Sequence, residues 1–119
     1  MADIVLTRVL PPGAINTGTL SVSNQHDVPR MPTIVEGQNS VPMVARDARQ
    51  EGLVHFFNFR MRANGPRAKQ TITGMKEFFD LHGLQGGDVI IIRLVQHELK
   101  LLGRVIRSAI YSIDFERGE

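Results

Sequence analysis

A chain of 119 residues has room for one domain with a real core, and its 42% hydrophobic and 22% charged residues exclude disorder or a coiled coil for the whole. With no cysteine, disulfides and thiolate metal sites are excluded, which fits a reducing compartment. The net charge of +2 is small but unevenly spread: Arg46 to Glu77 holds seven basic residues against three acids, while Asp80 to Glu119 holds five against six.

In chain order, "DIVLTRVL" (Asp3 to Leu10) reads as a strand stopped at Pro11-Pro12-Gly13. "TLSVSN" (Thr19 to Asn24) alternates with period two, and residues 25 to 40, with Pro29 and Pro32, read as an irregular crossing. "SVPMVARD" (Ser40 to Asp47) is a short strand whose Pro42 places it at an edge. In "LVHFFNFRMR" (Leu53 to Arg62), Leu53, His55, Phe57, Phe59 and Met61 share one face. Val54, Phe56, Asn58, Arg60 and Arg62 share the other, which is expected to pass from core-covering to solvent along the strand.

"TGMKEFFDLHG" (Thr73 to Gly83) is the one clear helix, with Thr73 as N-cap and Gly83-Leu84 as its stop. Two long strands follow, "GGDVIIIRLVQ" (Gly86 to Gln96) and "ELKLLGRVIR" (Glu98 to Arg107), and "SAIYSIDF" adds a final one. The N-terminus has no basic region leading into an apolar run, and no apolar stretch approaches a membrane span, so a soluble protein is expected. About seven strands and one helix indicate a small closed or nearly closed barrel, although residue patterns alone leave a sandwich open.

Little in the chain points to chemistry. His26, His55, His82 and His97 are scattered without metal-ligand spacing, and no serine sits in a Gly-x-Ser-x-Gly turn. "GLQGGDVI" lacks the spacing of a nucleotide loop and reads as helix stop, tight turn and strand entry, with the Asp88 side chain bracing the turn. The expectation is no enzyme, no cofactor, no metal and no small-molecule substrate. The strongest signal is "FRMRANGPRAKQTITG" (Phe59 to Gly74), in which Arg60, Arg62, Arg67 and Lys69 surround a Gly65-Pro66 turn without an acid. Such a cluster neutralises phosphates and offers an arginine to guanine.

Three stretches together resemble the plant B3 DNA-binding domain, most nearly its auxin response factor type. They are "LTRVLPPG" with "GTLSVSNQH", the basic stretch just quoted, and "FFDLHGLQGGDVIII", covering roughly Ile4 to Arg107. The resemblance implies a mainly β fold, a seven-stranded open pseudobarrel with one or two short helices. It implies one domain over residues 1–119, with a core of about 4–107 and a short tail at 108–119. It also implies sequence-specific binding of double-stranded DNA through two loop arms in the major groove, as in a plant transcription factor acting in the nucleus, as a monomer when isolated.

Carried over by motif, the first arm is Pro12 to Thr19 and the second Arg60 to Gln70. Arg67 is the base reader; Arg60, Arg62, Asn64, Lys69 and Gln70 are further contacts, with Asn16, Thr17 and Thr19 from the first arm. This chain departs from the family in having no charge in that first arm, and in Met75 where the helix opens with Trp. Two alternatives remain: a B3-like specificity domain of a restriction endonuclease, cytoplasmic rather than nuclear, and a small β-barrel interaction or ligand module without DNA binding.

Overall fold

The computed structural model describes residues 3–22, 31–34, 37–62 and 69–118, with Arg62 and Lys69 described by backbone alone. Among the described residues, nine strands and two helices follow in the order β1 (Asp3–Val9), α1 (Ala14–Thr17), β2 (Leu20–Val22), β3 (Ser40–Asp47), β4 (Val54–Arg62), β5 (Lys69–Thr73), α2 (Lys76–His82), β6 (Val89–Gln96), β7 (Leu99–Leu101), β8 (Arg104–Arg107) and β9 (Ile110–Glu116). Seven of the strands make one sheet in the order β1-β6-β9-β3-β4-β5-β2, and β7 with β8 forms a separate hairpin. The large sheet curls around its core until its edge strands come near each other, where Arg8 Nε of β1 donates to the Ser21 carbonyl of β2 at 3.2 Å. This is the seven-stranded open pseudobarrel expected.

Alternation explains the core. Phe57 and Phe59 of β4, Met43 and Ala45 of β3, Ile90 and Ile92 of β6, and Tyr111 and Ile113 of β9 all point inward and are buried. Phe78 and Phe79 of α2 plug one end of the barrel, together with the fully buried Met75. Burial raises the Tyr111 phenol well above its ordinary range, and the nearby Glu98 carboxylate adds to the effect.

Several expectations need correction. Pro42 does not mark an edge strand, because β3 lies inside the sheet; β9 pairs with β3 only from Val44 to Asp47, so Pro42 sits where just β4 flanks it and no amide is missed. The outer face of β4 is open to solvent from its start, with Val54 38% and Phe56 72% exposed. Thr73 is not an N-cap: it ends β5 opposite Asn58, and α2 starts after Met75 without a side-chain cap. The helix does stop at Gly83 (φ 60°), whose N–H donates back to Asp80 and Phe79, and Leu84 N–H also reaches Phe79 O at 2.9 Å.

The expected strand over Glu98 to Arg107 breaks at Leu102-Gly103, where both residues have positive φ (53° and 77°) and reverse the chain between β7 and β8. The segment assigned to a tail holds β9, antiparallel to β6 and parallel to β3 in the middle of the sheet, so the core continues through Phe115. Residues 25–30, read as part of the irregular crossing, and Asn24 lie outside the described residues.

Candidate nucleic-acid interface

The outer surface of β4, β5 and β2 forms the strip to which both expected arms connect. Register places Ser21 beside Thr71 and Thr71 beside Arg60, while Asn58 lies beside Thr73. The inward residues of these strands are Leu20, Val22, Ile72, Phe57 and Phe59, all buried. Ser21, Thr71, Thr73, Asn58 and Arg60 therefore face outward, a polar strip with one cation and no acid. Among the described residues Arg60 makes no ion pair, so its guanidinium is not committed to a structural carboxylate.

Arg62 lies at the register position opposite Lys69, at the root of the second arm. Asn64 and Arg67, with the Gly65-Pro66 turn, lie outside the described residues. Gln70, opposite Met61 and Val22, shares the inward parity of Ile72 and is half-buried at the barrel rim.

The first arm joins β2 at its start, whereas the second joins β5 beyond the end of β2. Antiparallel pairing of Leu20 with Ile72 and Val22 with Gln70 makes Thr19 and Lys69 four residue steps apart along the strip. At a strand rise of about 3.3 Å per residue, the two roots are separated by about 13 Å along the strands.

The first arm is a turn of helix rather than an open loop. Its α1 buries Ala14, half-buries Ile15 against the core, and leaves Asn16 and Thr17 exposed. The Thr17 hydroxyl lies within hydrogen-bonding distance of the Gly13 and Ala14 carbonyls, at 3.3 and 3.4 Å, while Thr19 is half-buried where β2 begins. Gly18 ends the helix with φ 67°, donates to Ala14 O at 2.8 Å, and accepts from Met75 N–H at 2.9 Å. A Cβ at Gly18 would meet the Lys76 backbone nitrogen at 2.8 Å, so only glycine lets the arm pack directly on the start of α2.

This packing brings a cation to an arm that has none of its own. Lys76 stands immediately behind Gly18, exposed, with its ammonium 3.2 Å from Asp80 one helical turn on. An ion pair in which both side chains are more than half exposed is weak and readily exchanged for another anion. The expected site residues did not include Lys76, Ser21, Asn58, Thr71 or Thr73. The strand alternation marked the outward residues; the meeting of Lys76 with Gly18 is tertiary and has no local signal.

The turn around Asp88 is built as expected and extends further. Asp88 Oδ2 accepts from Gln85 N–H at 2.8 Å, Oδ1 accepts from Gly118 N–H at 2.9 Å, and Arg117 approaches at 3.3 Å. The two amide hydrogen bonds, against the opposing effect of burial and with help from Arg117, hold this carboxyl below its usual range.

The histidines are not all scattered. His55 Nε2 and His82 Nε2 both lie within hydrogen-bonding distance of Asp47 Oδ2, at 2.8 and 2.7 Å. Burial pushes the Asp47 carboxyl up, but hydrogen bonds to His55, to His82 and from the Arg49 amide outweigh it and leave the carboxyl below its ordinary range.

A curled seven-stranded sheet whose edges nearly meet, with a helix plugging one end, defines the class by its fold: an open pseudobarrel. Solved structures share this fold, two of them from Arabidopsis. The Arabidopsis FUS3–DNA complex matches with a TM-score of 0.72 at 19% identity, over 98% of this chain and 99% of that one. The Arabidopsis thaliana transcription factor LEC2–DNA complex matches with a TM-score of 0.72 at 15% identity, over 97% and 94%. No family model matches the sequence, and no curated protein matches it.

Proposed function

We propose that this chain is a B3-type domain that binds double-stranded DNA sequence-specifically, without enzymatic activity, as part of a plant transcription factor in the nucleus. The observation that carries the reading is the outward polar strip of β2, β5 and β4 with an arm rooted at each end, on a fold shared over its whole length with two chains solved as DNA complexes. Arm roots about 13 Å apart along the strands are commensurate with a major groove about 12 Å wide.

In this reading the second arm carries both attraction and readout. Arg60, Arg62 and Lys69 neutralise phosphates, and Arg67 presents its fork to guanine N7 and O6, with Asn64 and Gln70 adding hydrogen bonds. The first arm contributes Asn16, Thr17 and Thr19 as neutral hydrogen-bonding groups. Lys76, behind Gly18, supplies the charge that this arm lacks, and its bond to Asp80 gives way to phosphate.

The test is equilibrium binding to a duplex selected from a random pool, repeated across salt concentrations. The logarithm of affinity is expected to fall steeply with the logarithm of salt, with the slope reduced by roughly one in Arg67→Ala and discrimination lost at one base pair. No enrichment from the pool, or an affinity indifferent to salt, overturns the proposal.

A further inference from the structure

The Asp47, His55 and His82 side chains come from three elements that meet at the α2 end of the barrel: the end of β3, the start of β4 and the last residue of α2. All three donor atoms lie within 4.8 Å of one another. Asp47 is oriented before any ligand arrives, because its Oδ1 accepts from the Arg49 and Gln50 amides at 2.8 and 3.1 Å and its Oδ2 is left aimed at the imidazoles. His55 stacks on Phe57 and meets the edge of Phe78, while His82 packs on Phe78 and Phe115. The rings are therefore fixed in a largely dry pocket, with the His82 side chain 11% exposed as the route to solvent.

From this geometry we propose that Asp47 Oδ2, His55 Nε2 and His82 Nε2 bind one divalent zinc-class transition-metal ion. Two imidazoles and a carboxylate form a borderline nitrogen–oxygen donor set suited to zinc, cobalt or nickel and unsuited to magnesium or calcium, which want oxygen. Metal bonds of about 2.0–2.2 Å place donors of a tetrahedral site about 3.3 Å apart. Each Nε2 must withdraw by about half an ångström from its present 2.8 or 2.7 Å separation from Oδ2, and the two Nε2 atoms, now within 4.8 Å of each other, must close to the same spacing by turning about the side-chain bonds. On binding, each ring carries its proton on Nδ1 and turns the Nε2 lone pair to the metal, and water completes the coordination through the His82 side.

The two nearby guanidinium groups do not oppose the cation unchecked. Arg49 pairs with Asp114 at 2.6 Å, and Arg117 with Asp88 at 3.3 Å while donating to the His82 carbonyl at 2.6 Å. The site ties the helix that plugs the barrel to the β3–β4 turn, at the end opposite the root of the second arm, so a bound ion would stiffen the support of α2 and with it the first arm. The proposal does not depend on DNA binding.

The experiment titrates chelator-treated full chain with zinc by calorimetry and with cobalt by visible absorption. Binding of one ion per chain at micromolar metal, with the intense cobalt bands of a four- or five-coordinate site, is expected. His82→Gln, which retains a donor to Asp47 but no imidazole, should remain folded by circular dichroism while weakening zinc binding by about tenfold or more and abolishing those bands. His26→Gln/His97→Gln should bind as the parent does. Absence of saturable binding, undiminished binding by folded His82→Gln, or loss of binding in the His26/His97 double variant each overturns the proposal.

Discussion

Gly18→Ala tests how the first arm is held. The parent residue has φ 67°, and a Cβ there would sit 2.8 Å from the Lys76 nitrogen, 2.9 Å from its Cβ and 3.2 Å from its Cα. A left-handed alanine costs about 1–2 kcal/mol, and forcing a methyl against backbone adds about 1–3 kcal/mol. Reduced freedom of the unfolded chain returns about 0.4–1 kcal/mol, so the net loss is roughly 2–4 kcal/mol. For a domain of this size each kcal/mol shifts the melting midpoint by roughly 3–5 °C, which places the drop at roughly 6–20 °C.

Differential scanning calorimetry measures it directly. Gly13→Ala is the control, since Gly13 already has φ −72° and no atom lies within 4 Å of its added methyl. That variant should melt at or slightly above the parent. A Gly18→Ala midpoint within about 2 °C of the parent would show that α2 retreats at little cost, refuting the view that the arm is locked on Lys76.

Three other outcomes follow from the same structure. Lys76→Ala should lower the magnitude of the salt slope of duplex binding by about 0.9 and leave the melting midpoint nearly unchanged, because it removes only an exposed pair with Asp80; an unchanged slope removes Lys76 from the interface. Leu102→Gly, at an exposed turn position with φ 53°, should raise stability by about 1 kcal/mol in denaturant unfolding. Asp88 is held below its ordinary range by the Gln85 and Gly118 amides, so its contribution is complete above the ordinary aspartate range and disappears as pH falls through its folded-state value. Asp88→Asn should therefore flatten the acid limb of stability against pH, read by urea unfolding at successive pH values.

Local patterns carried much of this architecture. The alternation in β4 separated Phe57 and Phe59 from Asn58 and Arg60, and Gly83-Leu84 marked the end of α2 because a left-handed cap and its apolar contact have a two-residue signature. What stayed hidden depends on distant partners. His82 lies 35 positions from Asp47, and nothing in either neighbourhood announces that two imidazoles share one carboxylate oxygen. The break at Leu102 was masked because leucine is a poor residue for a left-handed turn, which left Gly103 alone to mark the reversal. At the proposed interface the charges of the second arm were legible, whereas the placing of Lys76 beside the first arm depends on α2 folding back against Gly18.

The place of β9 bears on how such a chain is born. It follows the other described strands in sequence, yet it joins β6 on one side and β3 on the other. Until residue 116 has left the ribosome, a β1–β6 pair and a β3-β4-β5-β2 ribbon have no strand between them. Each carries an unpaired edge with apolar residues behind it, ready to capture another nascent chain. The parallel β3–β9 seam, which brings Asp47 beside Ile113, joins strands separated in the chain by β4 to β8, and such non-local pairing is slow to form. A chain interrupted before β9 therefore yields two adhesive half-sheets rather than a smaller barrel, and the fold's exposure to aggregation lasts until that strand has been made and paired.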